Sequence, residues 1–270
     1  MDVLLPVFQL LYFVAHFLAS LALSVIDTFF HLHRLLLRVY SFLVPARVPP
    51  GRLQADAAQL KKVPQHLGLV CVGQQAHHVA QLSTVISWAI GYGVHYVSLY
   101  DAHGVLKRKR PALLGALRES DSDVLYNVVS YGRDCHPDRD VVAGKRAEAN
   151  GTTRHREITV NLLSQADGRS NLASAARRLC SEGCKVTAAM IESQLVTLGQ
   201  PDPDIVITIG EPISTLGFLP WQVRLSEFFS TPSLSRFEYN SFQTILRRYS
   251  KCEQRFVLPV TLGYVAVYQN

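Results

Sequence analysis

The chain has 270 residues, enough for one good-sized core with extras or for two small domains. Its formal charge of +6 is modest and scattered. No zinc finger, RNA-recognition signature or aromatic-basic interleaving accompanies it, which excludes a nucleic-acid partner. Hydrophobic residues make up 48% and the mean hydropathy is +0.12, high for a purely soluble protein, so a membrane segment is the first thing to look for.

It stands at the start. Residues 3–26, VLLPVFQLLYFVAHFLASLALSVI, hold no Asp, Glu, Lys or Arg and one histidine, His16. As a helix this run reaches about 36 Å, enough to cross a bilayer with some tilt. A cleavable signal peptide normally opens with Lys or Arg and has a shorter apolar core, and the first 33 residues contain neither base. The expectation is a retained anchor over residues 1–44, with FFHLHRLLLRVYSFLV (29–44) continuing the helix or lying along the interface. Arg34, Arg38, Arg47, Arg52, Lys61 and Lys62 follow it, which places the rest of the chain on the cytosolic side. VPARVPPG breaks the helix, and residues 45–62 read as a linker. The sequon Asn150-Gly151-Thr152 points the other way, since glycosylation occurs in the lumen, but so short a motif often arises by chance.

From about residue 63 strand and helix patterns alternate. HLGLVCVG (66–73), HYVSLYDA (95–102), VLYNVVSYG (124–132), ITVNLLS (158–164) and DIVITIG (204–210) are short apolar runs and read as buried strands. Between them, residues 77–93, 111–120, 168–183 and 188–199 read as helices, and 239–256 as a late amphipathic one. The charged stretch 133–157 reads as a mobile loop, and Lys107-Arg108-Lys109-Arg110 as a solvated run. Alternating elements with doubly buried strands predict an α/β fold: a mostly parallel sheet flanked by helices, preceded by a transmembrane helix. In such sheets chemistry gathers at the carboxyl ends of the strands, here Val72-Gly73-Gln74, Tyr100-Asp101, Ser164–Arg169 and Gly210-Glu211.

Few residues demand a chemical reading. Cys71, Cys135, Cys180, Cys184 and Cys252 are odd in number and dispersed, unlike a secreted disulfide framework, and suit a reducing compartment. Cys180 and Cys184 lie one helical turn apart, with no other metal-ligand pair nearby, so they read as thiols rather than metal ligands. His77 and His78 are adjacent on a helix and point apart. Asp101 and His103 read equally as loop or as chemistry. Phe218 and Trp221 read as core or subunit-interface aromatics, and Glu227 as a cap or an ion-pair partner.

Three segments carry a resemblance: VPQHLGLV before the first strand end, GVHYVSLYDAHGVLKR around the second, and PDPDIVITIGEPISTLGFLPWQVRLSE (201–227). Over residues 63–256 the chain resembles the cis-prenyltransferases, the family of undecaprenyl and dehydrodolichyl diphosphate synthases. The branch it resembles most is the non-catalytic accessory one of Nogo-B-receptor type, which also carries an amino-terminal anchor. Active members ionise an allylic diphosphate. They neutralise the leaving group with arginines and with Mg²⁺ held by an aspartate at the end of the first strand. Val72 stands where that aspartate would be, and Ile207-Thr208-Ile209-Gly210-Glu211 lacks the arginine that would grip isopentenyl diphosphate. The resemblance therefore implies no catalytic residue and no metal in this chain, with Mg²⁺ in the active site of a catalytic dehydrodolichyl diphosphate synthase partner. It implies a subunit interface built on Phe218, Trp221, Arg224 and Glu227, and residence in the endoplasmic reticulum membrane. It also implies a diphosphate contact from Arg255 into the partner's site. That contact normally ends in R-x-G, but Phe256-Val257 follows here and an apolar tail runs over 257–270, so weak stimulation of the partner is expected. Two alternatives stand beside this reading: a membrane receptor or scaffold without prenyl chemistry, and an active homodimeric enzyme, against which Val72 and the missing arginine argue.

Overall fold

The computed structural model describes residues 4–43, 48–120, 123–131, 137–145, 156–181 and 186–253. Its contacts divide the chain between Val48 and Pro49 into two compact units. The first holds a single continuous helix, α1 (Leu4–Leu43), over both stretches read separately from the sequence. Its described side chains from Tyr12 to Leu32 include many large apolar ones left exposed, among them Phe13, Phe17, Leu23 and Phe29. Among the described residues no helix is long and apolar enough to cross a membrane.

The second unit opens with α2 (Pro50–Ala58), inside the stretch read as a linker. Proline at its first turn suits a helix start, where the missing N–H has no partner anyway. Leu53 is 6% exposed and fills a notch at Gly91, where an added Cβ would come within 2.5 Å of it. Asp56 accepts a 2.6 Å hydrogen bond from the Tyr239 hydroxyl, which lies 2.9 Å from that of Tyr92. The helix is part of the folded unit.

Seven strands form one sheet: β1 (His66–Cys71), β2 (Tyr96–Tyr100), β3 (Val124–Tyr131), β4 (Pro137–Ala143), β5 (Arg156–Leu163), β6 (Ile205–Ile209) and β7 (Glu227–Thr231). Their order is β4-β3-β5-β2-β1-β6-β7, and every pair is parallel except the antiparallel β3/β4. Central β1 and β6 are buried at every position, as their largely apolar sequences predict, with His66 and Thr208 the polar residues among them. Gly68 faces the ring of Phe218 so closely that a Cβ there would lie 2.9 Å from it.

The remaining helices are α3 (Val79–Gly91), α4 (Val105–Arg108), α5 (Arg110–Arg118), α6 (Arg169–Ser181), α7 (Ala188–Glu192) and α8 (Tyr239–Lys251). Helix α7 stops seven residues before the end expected at 199, and the chain goes on in turns, with Leu195 and Val196 buried and Thr197 and Gly199 at positive φ. Helix α8 ends where Cys252 goes extended (φ −70°, ψ 124°). The stretch read as a mobile loop contains β4 and the start of β5. Arg110 holds β4 in place by pairing with Asp138, and with Asp140 at 2.7 Å.

Candidate functional site

The carboxyl ends of β1, β2, β5 and β6 lie side by side, and the sequence motifs fall there. Val72 leaves β1 extended, its N–H donating to Ile209 O at 2.8 Å. It is 6% exposed and packs with Val70, Tyr100, Leu163 and Phe218. The side chain offers no oxygen to a hard cation, and its surroundings are apolar. Gly73 then takes φ +58°, which lets the chain turn sharply into α3.

Asp101, at the end of β2, is 3% exposed and fully engaged. Its Oδ2 accepts from Val105 N at 2.7 Å and its Oδ1 from Leu106 N at 2.9 Å. It starts α4, which settles its reading as a loop residue. Helix α4 in turn aims Lys107 inward. Its Nζ donates to Tyr131 O at 2.7 Å and pairs with Asp167 Oδ2 at 2.5 Å. Asp167 also accepts from the Ser164 backbone N–H (2.7 Å) and hydroxyl (2.9 Å), closing a capping box after β5. The basic run read as solvated is therefore divided: Lys107 and Arg110 are paired and mostly buried, and Arg108 alone is exposed. Sequence reasoning missed Lys107 and Asp167, although the spacing Ser164-x-x-Asp167 carried a capping signal.

The segment after β6 folds back over these strand ends. Gly210 takes φ +104°, with space for a Cβ only 3.0 Å from Val72 O. Leu216, Gly217 and Leu219 all have positive φ, and this tight path drives Phe218 and Leu219 into the core, each 1% exposed. Tyr100 donates its hydroxyl to Leu216 O at 2.6 Å and meets Phe218 edge-on at 5.5 Å. Burial, with Asp101 and Asp167 nearby, pushes the Tyr100 phenol up to about 12, so it stays a donor. Burial likewise pushes the Cys71 thiol to about 12 and keeps it unreactive.

The strand-end concavity is thus filled by aromatic and aliphatic side chains of the same chain. Asp101 and Asp167 are committed to caps and to Lys107, and Glu211 is exposed outside the filled region. This donor set does not fit a divalent cation. Among the described residues no group of three His, Cys, Asp or Glu side chains converges; His77 and His78 are both exposed. A groove of about 470 Å³ lies elsewhere, between β7 and α8, with Thr231, Arg236, Asn240 and Thr244 in its lining.

The four residues expected at an interface separate into two groups. Phe218 is a core side chain and presents no surface, which corrects its expected interface role. Trp221, Arg224 and Glu227 remain at least partly exposed. Glu192 ties the first two together, accepting from Trp221 Nε1 at 3.2 Å and Arg224 Nη2 at 3.4 Å. The Arg224 guanidinium also stacks 5.3 Å from the indole centre and reaches Asp202 at 3.9 Å. Glu227 opens β7, its N–H held by Asp204 O at 2.9 Å. Arg255, the 257–270 tail, the Asn150 sequon, Cys135 and Cys184 lie outside the described residues.

Comparison with known proteins shows the family and the fold. The profile of the Prenyltransf family, "Putative undecaprenyl diphosphate synthase", matches residues 120–257. The chain is 31% identical over 215 residues to dehydrodolichyl diphosphate synthase complex subunit Nus1 of Mus musculus, covering 77% of this chain and 70% of that one. It is 31% identical over 212 residues to the Homo sapiens subunit of the same name, covering 76% and 70%. The structure of lavandulyl diphosphate synthase from Lavandula x intermedia superposes with a TM-score of 0.52 at 17% identity, over 72% of this chain and 98% of that one, a likeness of fold alone.

Proposed function

Because the chain belongs to the undecaprenyl diphosphate synthase, or cis-prenyltransferase, family, we infer that it is the accessory subunit of a dehydrodolichyl diphosphate synthase complex. Its relatives at 31% identity are named as subunits of that complex. The single observation that carries the finer reading is the filled strand end at Val72. Prenyl transfer breaks an allylic carbon–oxygen bond and releases diphosphate. The isopentenyl double bond then attacks the cation and a proton is lost. That transition state needs concentrated positive charge at the leaving group. Here an apolar side chain, a folded-back aromatic and two committed carboxylates occupy the place, so the chain is silent by itself.

In this reading the reaction, the Mg²⁺ ion and the binding of farnesyl and isopentenyl diphosphate belong to a catalytic partner. The present chain supplies a folded surface around Trp221, Arg224 and Glu227. The anchor at residues 3–26 would hold the growing cis-polyprenyl diphosphate, the precursor of dolichol for protein glycosylation, beside the endoplasmic reticulum bilayer. The apolar sequence there and the exposed apolar side chains of α1 support this. Arg255 would reach the partner's diphosphate, with little stimulation because Val257 replaces the glycine expected there.

The test is co-expression with a catalytic subunit, pull-down from membranes, and transfer of radiolabelled isopentenyl diphosphate by the eluate. The complex is expected to elongate farnesyl diphosphate and the purified chain alone to be inert. Appreciable elongation by the chain alone, or no co-purification, overturns the proposal.

A further inference from the structure

The carboxyl end of α2 meets α8 through two side-chain hydrogen bonds, from the Tyr239 hydroxyl to Asp56 at 2.6 Å and from Arg247 Nη2 to Gln59 Oε1 at 3.5 Å. Around the second of these four cations from two elements gather. Lys61 and Lys62 follow α2, and Arg247 and Lys251 sit one turn apart on α8. Lys62 Nζ stands 4.3 Å over the ring of Tyr249, which joins the two pairs. Lys61, Arg247 and Lys251 are exposed and Lys62 is half-buried. None of the four forms an ion pair with a described carboxylate.

The nearest acids do not answer this charge. Asp204 lies beneath the patch, where it accepts from Gln65 N (2.7 Å), His66 N (3.1 Å) and the Tyr249 hydroxyl (3.0 Å). Glu227 and Cys252 are the other titratable groups that face Tyr249, and exposed Glu253 follows the helix. Arg248 turns away, over the ring of Phe229 at 5.2 Å. The helix dipole explains cations in the last turn of α8, but it does not explain Lys61 and Lys62, which belong to another element. Because α2 is fixed by Leu53 at Gly91 and by Asp56 at Tyr239, the four charges are held as one face rather than strung along a free linker.

We propose that this face, shared by α2 and α8, docks on an anionic bilayer surface, with Lys61, Lys62, Arg247 and Lys251 against lipid phosphates. Only residues 44–49 separate α1 from α2 in sequence, so Lys61 and Lys62, just past α2, follow the segment read as an anchor after a single short helix. Clustered lysines and arginines without paired carboxylates are what anionic headgroups attract. The inference rests on the anchoring reading. It adds an orientation: the α2/α8 face turns to the lipid.

The full chain would be reconstituted into phosphatidylcholine vesicles and into vesicles with about 30% phosphatidylserine, an anionic lipid that attracts clustered Lys and Arg. Trypsin cleavage after Lys61, Lys62, Arg247 and Lys251 is followed in both. Cleavage at these sites is expected to slow by about threefold or more on the anionic vesicles and to recover in about 1 M NaCl, where the screening length is about 3 Å. The quadruple variant K61Q/K62Q/R247Q/K251Q is probed by hydrogen exchange over 59–65 and 245–253, and is expected to lose the lipid-dependent protection while its circular dichroism is kept. Equal cleavage on both vesicles, protection that survives in the variant, or equal protection by inorganic phosphate alone would each overturn the docking face. Failure to stay with phosphatidylcholine vesicles after alkaline extraction would instead sink the anchor reading, so the two failures are distinguishable.

Discussion

Gly168 and Gly217 meet backbone to backbone: a Cβ on Gly168 would fall 2.1 Å from the carbonyl oxygen of Gly217. One glycine follows the β5 turn and the other lies at the tip of the folded-back segment, so their approach is what lets Phe218 reach the core. Gly168→Ala is expected to push the segment outward and to destabilise the protein by about 2–3 kcal/mol. Urea denaturation measures the loss, and faster hydrogen exchange at residues 214–220 locates it. A variant as stable as the parent would mean the contact does not hold the segment.

Phe218 and Trp221 should part company experimentally. Phe218→Ala removes a fully buried ring and is expected to cost about 3–5 kcal/mol of stability. Trp221→Ala removes a half-exposed one, at a cost of about 1 kcal/mol or less, yet is expected to weaken pull-down of the catalytic partner. The reverse pattern would return Phe218 to the interface.

Val72→Asp puts an acid where the resemblance expects one, among Val70, Tyr100, Leu163 and Phe218. Desolvation would raise its pKa, and the cost is expected to be about 3 kcal/mol. The isolated variant should remain inactive with farnesyl diphosphate and Mg²⁺, because a carboxylate alone neither opens the filled strand end nor supplies the missing arginine. Measurable turnover would show that the block is chemical and not spatial.

Lys107 and Asp167 form a buried pair, with side chains 19% and 3% exposed. Lys107→Met strands Asp167 and is expected to cost about 3–5 kcal/mol, whereas the double change with Asp167→Asn should recover part of this. A thermodynamic cycle from chemical denaturation gives the coupling, and additive losses would contradict it.

His66 is wholly buried at the start of β1. Its Nδ1 lies 2.6 Å from Pro201 O, which can only accept, so Nδ1 carries the proton and Nε2 accepts from Ser98 Oγ at 2.8 Å. Burial lowers its pKa from 6.5 to about 4, against smaller opposing effects from Pro201 O and Asp204. The unfolded chain therefore binds the proton first. The stability held by neutral His66 is complete above 6.5, falls as pH drops below that value and is lost by about pH 4, a span of about 3 kcal/mol. Stability measured from pH 7 to 4.5 should decline in the parent and less steeply in His66→Gln, and parallel slopes would exclude this histidine as the cause.

Five of the strands were legible because doubly buried strands are mostly apolar, as in Leu67–Cys71 and, apart from Thr208, Ile205–Ile209. Strand β4 was hidden because an edge strand can be charged: Asp138, Arg139 and Asp140 follow one another, and the strand is held by Arg110 from a distant helix. Strand β7 follows an irregular segment and carries no strong alternation. That the first strand ends on an apolar Val72 was legible, but the filling of its surroundings was not, since that depends on positive φ at Leu216 and Leu219 and on the Gly168 contact. Helix α2 was taken for a linker because its prolines mark a helix start as readily as a break.

The two rims of the sheet differ in a way that limits growth. On the β4 side, Asp138, Arg139 and Asp140 discourage a foreign strand from pairing, the defence many proteins use against fibre formation. On the β7 side, Phe228 is 48% exposed and the strand has a described neighbour on one side only. A second copy pairing along β7 would use up that edge in both participants and leave, among the described residues, only the charged β4 rims outermost.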